Sequence, residues 1–129
     1  MTVTIWIDSW QMECCGESFG SGEVVAWQLV EAGAEDHADV VGGRRAAEID
    51  FREERHGGAG EEAVARVKVV GVEEVHCRYA FPPGNTSDGR RPVPGTTEFV
   101  PVGRAERWVE ERPGLEFCGY LVTAEPWAG

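Results

Sequence analysis

Lysine is nearly absent from this sequence of 129 residues, and this shortage limits the partners that the protein can bind. Lys68 is the single lysine among 12 basic residues, which face 23 Asp and Glu residues and leave a formal net charge of −11. Nucleic-acid binding needs basic residues that neutralise phosphates, and an anionic surface repels anionic membranes. We therefore expect neither a nucleic-acid partner nor a membrane partner.

A signal peptide and long apolar runs are also missing. The first residues lack a basic segment followed by an apolar one, and no apolar run approaches the ~20 residues that span a bilayer. The sequence therefore predicts a cytoplasmic protein, in which the 4 cysteines are free thiols or ligands rather than disulfides. The length and the 42% of hydrophobic residues predict a single domain over residues 1–129.

Complete catalytic and cofactor motifs are missing as well. The glycines at 16, 20 and 22 lack the Gly-Lys-Ser/Thr ending of a phosphate-binding loop, and those at 57, 58 and 60 are too irregular for a dinucleotide site. The acids around His37 lack the calcium-loop pattern, and we interpret them as a solvated loop. The sequence favours a protein without catalytic activity but leaves that point open.

Alternation of apolar and polar residues predicts about seven strands and an all-β fold. The predicted strands cover 3–8, 23–31, 47–52, 63–70, 75–79, 97–102 and 115–124, separated by loops at 9–22, 32–45, 55–60 and 82–97. The spacing of Ala105, Trp108 and Val109 predicts at most one short helix, near 104–112. We expect a small barrel, OB-like or SH3-like, although strand count alone does not separate a barrel from a sandwich.

The adjacent residues Cys14 and Cys15 are the most distinctive feature of the chain. Zinc sites commonly combine four Cys or His ligands in pairs spaced by two to four residues, and this chain has no CxxC or HxxxH pair. We therefore expect no cofactor. Zinc is kept as the alternative, with Cys14, Cys15, His56 and Cys77 as its ligands.

A nucleophilic pair of Cys15 and His56 is a further alternative, because a cysteine beside a base can attack a substrate. Cys77 and Cys118 favour a structural interpretation, since each alternates with apolar residues on a predicted strand. Cys118 is expected to share its strand face with Tyr120. These two cysteines therefore predict buried small hydrophobes.

Aromatic, thiol and basic side chains, in predicted loops or on the predicted strand 75–79, give the candidate ligand-binding residues, with no catalytic residue among them. These residues are Trp10, Cys14, Cys15, His56 and Arg78. The acidic surface suits a basic protein through electrostatic steering, and a small ligand is the other possible partner. The predicted function is a non-catalytic binding or interaction module, with a zinc-binding or thiol-dependent protein as the alternative. The sequence does not indicate an oligomeric state.

The order of these features resembles a family of small uncharacterised actinobacterial proteins, a domain of unknown function. The resemblance is carried by Trp10-Gln11, Cys14-Cys15-Gly16, Phe19, Val25-x-Trp27, His56-Gly57, Cys77-Arg78-Tyr79-Ala80 and Gly119-Tyr120-Leu121. It covers nearly the whole chain and implies a GC-rich bacterial origin and a cytoplasmic setting, without a reaction or a ligand. The sequence departs from the pattern at Ser18, where proline is expected, and at Arg55, where a second histidine is expected; the latter weakens a paired-histidine metal site.

Overall fold

The computed structural model describes residues 1–33, 35–54, 64–84, 87 and 89–128, and strands account for 48% of the structure against 13% for helices. The strands are β1 (Val3–Asp8), β2 (Phe19–Gly20), β3 (Val24–Glu31), β4 (Phe51–Glu53), β5 (Val64–Cys77), β6 (Tyr79–Ala80), β7 (Arg91–Pro92), β8 (Glu98–Val102), β9 (Arg104–Ala105) and β10 (Glu116–Pro126). The helices are α1 (Ser9–Cys15), α2 (Ala38–Val41) and α3 (Gly43–Ala46). The all-β prediction is confirmed.

Five of the strands close into a barrel, as predicted. The ring order is β5-β10-β1-β4-β3, and β3 pairs with β5 to complete the circle. Only the pairing of β1 with β4 is parallel within this ring. An OB barrel pairs its five strands in the ring order first, second, third, fifth, fourth. The same order results here if β5 is counted as the first strand and the chain is taken to continue from β10 to β1. The barrel thus has the pairing of an OB barrel with a circularly shifted chain order.

Apolar side chains from all parts of the ring fill the barrel interior. The alternation predicted for β1 is observed, because Ile5 and Ile7 are fully buried inside while Trp6 faces out. The interior also contains the aromatic rings of Phe19, Trp27, Phe117 and Tyr120, which meet edge to face. Such contacts add to the stabilisation that burial of apolar surface gives.

A second hydrophobic core lies on the outer face of β1, β5 and β10. Helices α2 and α3 cover this face, and their buried residues pack against Trp6, Val75 and Leu121. The covering residues are Val41, Ala46 and Ile49. The outer face of the barrel is therefore partly occupied by the chain itself, and the uncovered part adjoins α3.

The predicted helix near 104–112 is wrong. Residues Arg104–Ala105 form β9, which pairs with β2, and residues 106–112 follow without a helix. The apolar pattern comprised only three residues, which is too few to distinguish a helix from an irregular segment that touches the barrel. Val109 does pack against the barrel core, whereas the Trp108 side chain is 69% exposed.

Three other sequence predictions are wrong in part. The segment 9–22 was expected as a loop but contains α1, and the connection 32–45 contains α2 and most of α3. Both helices of that connection have only four residues, too few for a helical period to be visible. The strand predicted at 47–52 is limited to β4, although Ile49 is buried as expected for an apolar position.

The predicted central strand at 115–124 and the edge strand at 97–102 are confirmed. β10 lies between β1 and β5, and β8 lies at the edge of the sheet and contains Pro101, which cannot donate to a ladder. A register shift in β10 between Phe117 and Gly119 turns Cys118 toward the second core. Cys118 therefore does not share a face with Tyr120, contrary to the prediction.

Within the described part of the chain, no helix has both the length and the apolar character that a bilayer span requires.

Candidate functional site

The cysteine pair lies on helix α1, directly after β1. Its buried residues are Gln11 and Met12, and the Gln11 side-chain amide donates to the Glu53 carbonyl at 2.8 Å. Helix α1 is therefore fixed against the barrel by one face. The opposite side carries Trp10, 51% exposed, together with the exposed Cys14 and Cys15.

A disulfide joins Cys14 to Cys15. The prediction that all cysteines are free is therefore wrong for this pair and right for Cys77 and Cys118. The sequence predicted a loop over 9–22 for these residues, whereas they form the exposed end of helix α1. In the disulfide form neither sulfur is a thiolate, so neither can act as a nucleophile or metal ligand.

Arg107 ties the segment 106–109 to helix α1. Its guanidinium donates to the Glu13 carbonyl at 2.9 Å and to the Met12 carbonyl at 3.4 Å, both in the last turn of the helix. The Met12 carbonyl also accepts the backbone N–H of Gly16, which ends the helix. The Tyr120 hydroxyl holds the same segment, because it accepts from the Glu106 N–H at 2.9 Å and donates to the Glu106 carbonyl at 2.8 Å. An irregular segment is thus positioned by four hydrogen bonds.

These contacts create one surface, which we call the tryptophan surface: Trp10, Cys14 and Cys15 of α1 together with residues 106–111. Trp108 is the most exposed of its aromatic residues, and the Arg107 link places its segment beside the helix that carries Trp10. Tryptophan is enriched at the centres of protein interfaces, and two exposed tryptophans on neighbouring segments provide more apolar surface than a single one does.

The charges around the tryptophan surface are mainly negative. Glu13 on α1 and Glu110 and Glu111 beside Trp108 make no ion pair among the described residues. The Arg107 guanidinium bonds to carbonyl groups and forms no ion pair with these carboxylates among the described residues, so its single positive charge offsets only part of theirs. The surface therefore combines unpaired negative charge with exposed indole rings.

Of the other two predicted ligand-binding residues, Arg78 lies in a groove that Glu111 of the tryptophan surface also lines, and His56 lies outside the described residues. Arg78 is exposed after β5 and lines a groove of about 600 Å³ beside Tyr79 and Arg90. The Arg90 guanidinium is held there by both oxygens of Glu116, at 2.8 and 2.9 Å. His56 and the Gly57–Gly60 loop lie outside the described residues, so their relation to the cysteine pair is not described.

Cys77 and Cys118 face each other in the second core, with their sulfur atoms 3.2 Å apart. Burial, together with the hydrogen bond to Cys118, raises the pKa of the Cys77 thiol to about 12. A thiol that resists ionisation is a poor nucleophile and metal ligand. The structural interpretation of these two cysteines is thus supported by their surroundings.

The described residues contain no group of three or more His, Cys, Asp or Glu side chains that could hold a metal ion. Within the alternative zinc set, Cys77 is buried in the second core while Cys14 and Cys15 are exposed on α1. The fourth member, His56, is outside the described residues. The zinc alternative therefore stays a prediction that the described geometry does not favour.

His37 was interpreted as part of a solvated loop, and this is wrong. It precedes α2 and packs on Trp6, with ring centroids 5.1 Å apart. Burial lowers the pKa of His37 from its usual value, and the nearby Asp8 carboxylate opposes that shift. His37 is a packing residue, although its burial was not visible in a sequence segment rich in acids.

Sequence reasoning missed Trp108, Arg107 and the carboxylates beside them as site residues. It placed Trp108 on a helix facing the barrel, and it did not predict that Arg107 would cross to α1 over 94 residues of sequence. The available signal was the pattern Glu106-Arg107-Trp108-Val109-Glu110-Glu111, which places one tryptophan among charged residues.

Comparison with known proteins gives a family but no function. A family model described as a family of unknown function, DUF6578, matches residues 1–126. No curated protein and no solved structure matches the chain.

Proposed function

The chain belongs to the DUF6578 family of unknown function, and we propose that this member is a non-catalytic module that binds a basic segment of another protein at the tryptophan surface. The observation that carries the proposal is the pair of exposed tryptophans, Trp10 and Trp108, held on one surface by Arg107 beside unpaired carboxylates. Indole rings supply apolar contact area, and their faces attract Arg and Lys side chains.

Charge supports a basic partner in particular. The whole chain carries a net charge of −11, which attracts a basic protein from a distance and accelerates its association. The unpaired carboxylates of Glu13, Glu110 and Glu111 would then contact its Arg or Lys groups at short range. An acidic partner would instead be repelled by the net charge at long range and by these carboxylates at short range.

The setting proposed for this interaction is the cytoplasm of a GC-rich actinobacterium. The composition supports this setting, because 11 of the 12 basic residues are arginine (12 minus Lys68), as expected from GC-rich codons. In a reducing cytoplasm the Cys14–Cys15 disulfide would open. A thiol-dependent or zinc-binding role, our alternative, requires that reduced form.

Fluorescence titration with an arginine-rich peptide tests the proposal. We expect the peptide to change the emission of exposed tryptophan and a glutamate-rich peptide of equal length to leave it unchanged. Trp108→Ala should weaken binding at least about tenfold, the loss expected for a central aromatic residue of an interface. Its folding should be unaffected, because substitutions at exposed positions change stability little.

Trp127→Ala is the matched control, since Trp127 is also exposed but follows the other end of β10 and lies over Lys68. It should bind the peptide as the parent protein does. Equal loss of binding in Trp108→Ala and Trp127→Ala would refute the tryptophan surface as the binding site.

A further inference from the structure

An open cleft lies on the outer face of the barrel, next to the part that helices α2 and α3 cover. It has a volume of about 620 Å³, within the size range of small-molecule sites. Its floor is formed by Leu121 and by Thr4 and Thr123, which are paired across β1 and β10. Gly71 lies opposite Thr123 on β5, and the space where its Cβ would lie has no atom within 4 Å.

Arg45 lines one part of the cleft, and its side chain is held in place by its neighbours. The Arg45 guanidinium bonds to Glu73 at 2.6 Å, lies 3.5 Å from Glu48 and stacks on the Phe99 ring at 4.3 Å. These contacts already engage the positive charge of the Arg45 guanidinium and fix its orientation. Arg45 therefore shapes the cleft and is not the group that is free to bind a ligand.

The rim of the cleft offers one charge of each sign. Arg44 is exposed and makes no ion pair with any residue that the structure describes. Glu48 has a side chain that is 59% exposed and is held by Arg45 only at 3.5 Å. A carboxylate can thus be bound by Arg44 and an ammonium group by Glu48, and the threonine hydroxyls that line the same cleft are available as hydrogen-bond partners.

The geometry points to a small zwitterion of the free α-amino-acid class as the ligand of this cleft. A purely anionic ligand is repelled by a chain with a net charge of −11, whereas a zwitterion carries no net charge and is bound by the local pair alone. A purely cationic ligand would be attracted by the net charge of the chain but would meet the positive charge of Arg44 within the cleft, which only a ligand with a carboxylate can match. The site is separate from the tryptophan surface and does not depend on it.

The position of the cleft agrees with the topology of the barrel. β10 and β1 correspond to the second and third strands of an OB barrel, and OB barrels use that face for ligands. This is an analogy at the level of fold, and the ligand class rests on the charges and hydroxyls of the cleft.

The test is a titration of the full chain with the common L-amino acids at millimolar concentration, followed by amide NMR. We expect at least one of them to shift the resonances of Thr4, Leu121 and Thr123. The amide of that amino acid, which keeps only the ammonium group, and its N-acetyl derivative, which keeps only the carboxylate, should bind at least about tenfold more weakly, since each loses one charge-assisted contact.

Two variants locate the binding. Arg44→Gln should weaken it at least about tenfold, the loss of one charge-assisted hydrogen bond, while Arg91→Gln, at an exposed arginine of β7, should not change it. Three results would each overturn the inference: no shift of these resonances with any amino acid, equal binding of the parent and its two derivatives, or equal affinity in the two arginine variants.

Discussion

Gly119 lies in β10 opposite Asp8 of β1. A Cβ atom at this position would collide with the Ile7 carbonyl oxygen and lie 2.7 Å from the Trp6 indole ring. Its φ of 159° also favours glycine over other residues. At the scale of single residues, the absence of a side chain at Gly119 lets β10 pass close to the Trp6 ring of β1.

Gly119→Ala should therefore destabilise the protein. We expect the free energy of unfolding to fall by about 1–3 kcal/mol or more, the usual cost of overpacking a core. Gly43→Ala is the matched control, because a Cβ there meets no atom within 4 Å and φ is not positive. It should change stability by no more than about 1 kcal/mol, in the stabilising direction. Equal unfolding midpoints in denaturant would contradict this account.

Buried thiol and phenol groups make the fold sensitive to alkali. Burial raises the pKa of Cys77 from 9.0 to about 12 and that of Tyr120 from 10.0 to about 12, and it raises the pKa of Tyr79 as well. The unfolded chain thus releases these protons at lower pH than the folded chain. The contribution that these protonated groups make to the free energy of unfolding is therefore complete below about pH 9 and is lost as the pH rises toward about 12.

Cys77→Ala removes one of these groups and should flatten that dependence. The variant loses some packing at neutral pH, but its free energy of unfolding should fall less steeply above about pH 9 than that of the parent. Denaturant unfolding at a series of pH values measures both slopes. A slope in the variant equal to that of the parent would show that the Cys77 thiol does not contribute.

At the scale of elements, long alternating segments were predictable and short ones were not. β1, β3, β8 and β10 follow the period of two that burial of one face imposes, so a β-rich fold could be expected. The strands predicted at 63–70 and 75–79 are instead one strand, β5, which continues through Gly71. Helices of four to seven residues leave no periodic pattern. Their positions depend on tertiary contacts, such as the hydrogen bond of Gln11 to Glu53 and the packing of Val41 on the outer face.

The same limit applies to the candidate site. Trp10, Cys14 and Cys15 were identified from their residue types, and they do lie together on α1. The contribution of Trp108 depends on an arginine that reaches α1 from the distant segment 106–109, and no local pattern encodes such a contact. Residue type thus indicated half of the tryptophan surface, and only the fold showed the rest.

The covered outer face provides a prediction for the elements α2 and α3. Ile49 follows α3 and is 4% exposed within the second core. Ile49→Ala should lower the free energy of unfolding by about 2–5 kcal/mol, as expected for a buried isoleucine. Val24→Ala, at a position of β3 that is 37% exposed, should cost within about 0.5 kcal/mol. Similar costs in the two variants would show that residues 38–49 do not form a packed cover.

At the scale of the whole molecule, the excess of acid is not neutralised within the chain. The described arginines that form ion pairs with carboxylates are Arg45, Arg52, Arg90, Arg104 and Arg112. With 23 acidic residues against 12 basic ones, much of the negative charge remains available to a partner. The tryptophan surface is the proposed place where a partner attracted over long range makes contact with the protein.

The dependence of peptide affinity on salt tests this account most directly. The screening length shrinks from ~30 Å at about 0.01 M salt to ~3 Å at about 1 M, so an attraction between the acidic chain and an arginine-rich peptide should weaken steeply over this range. We predict at least a tenfold fall in the association constant, roughly the loss of one or two charge contacts. An association constant that stays the same from low to high salt would contradict the proposal that this protein binds a basic partner.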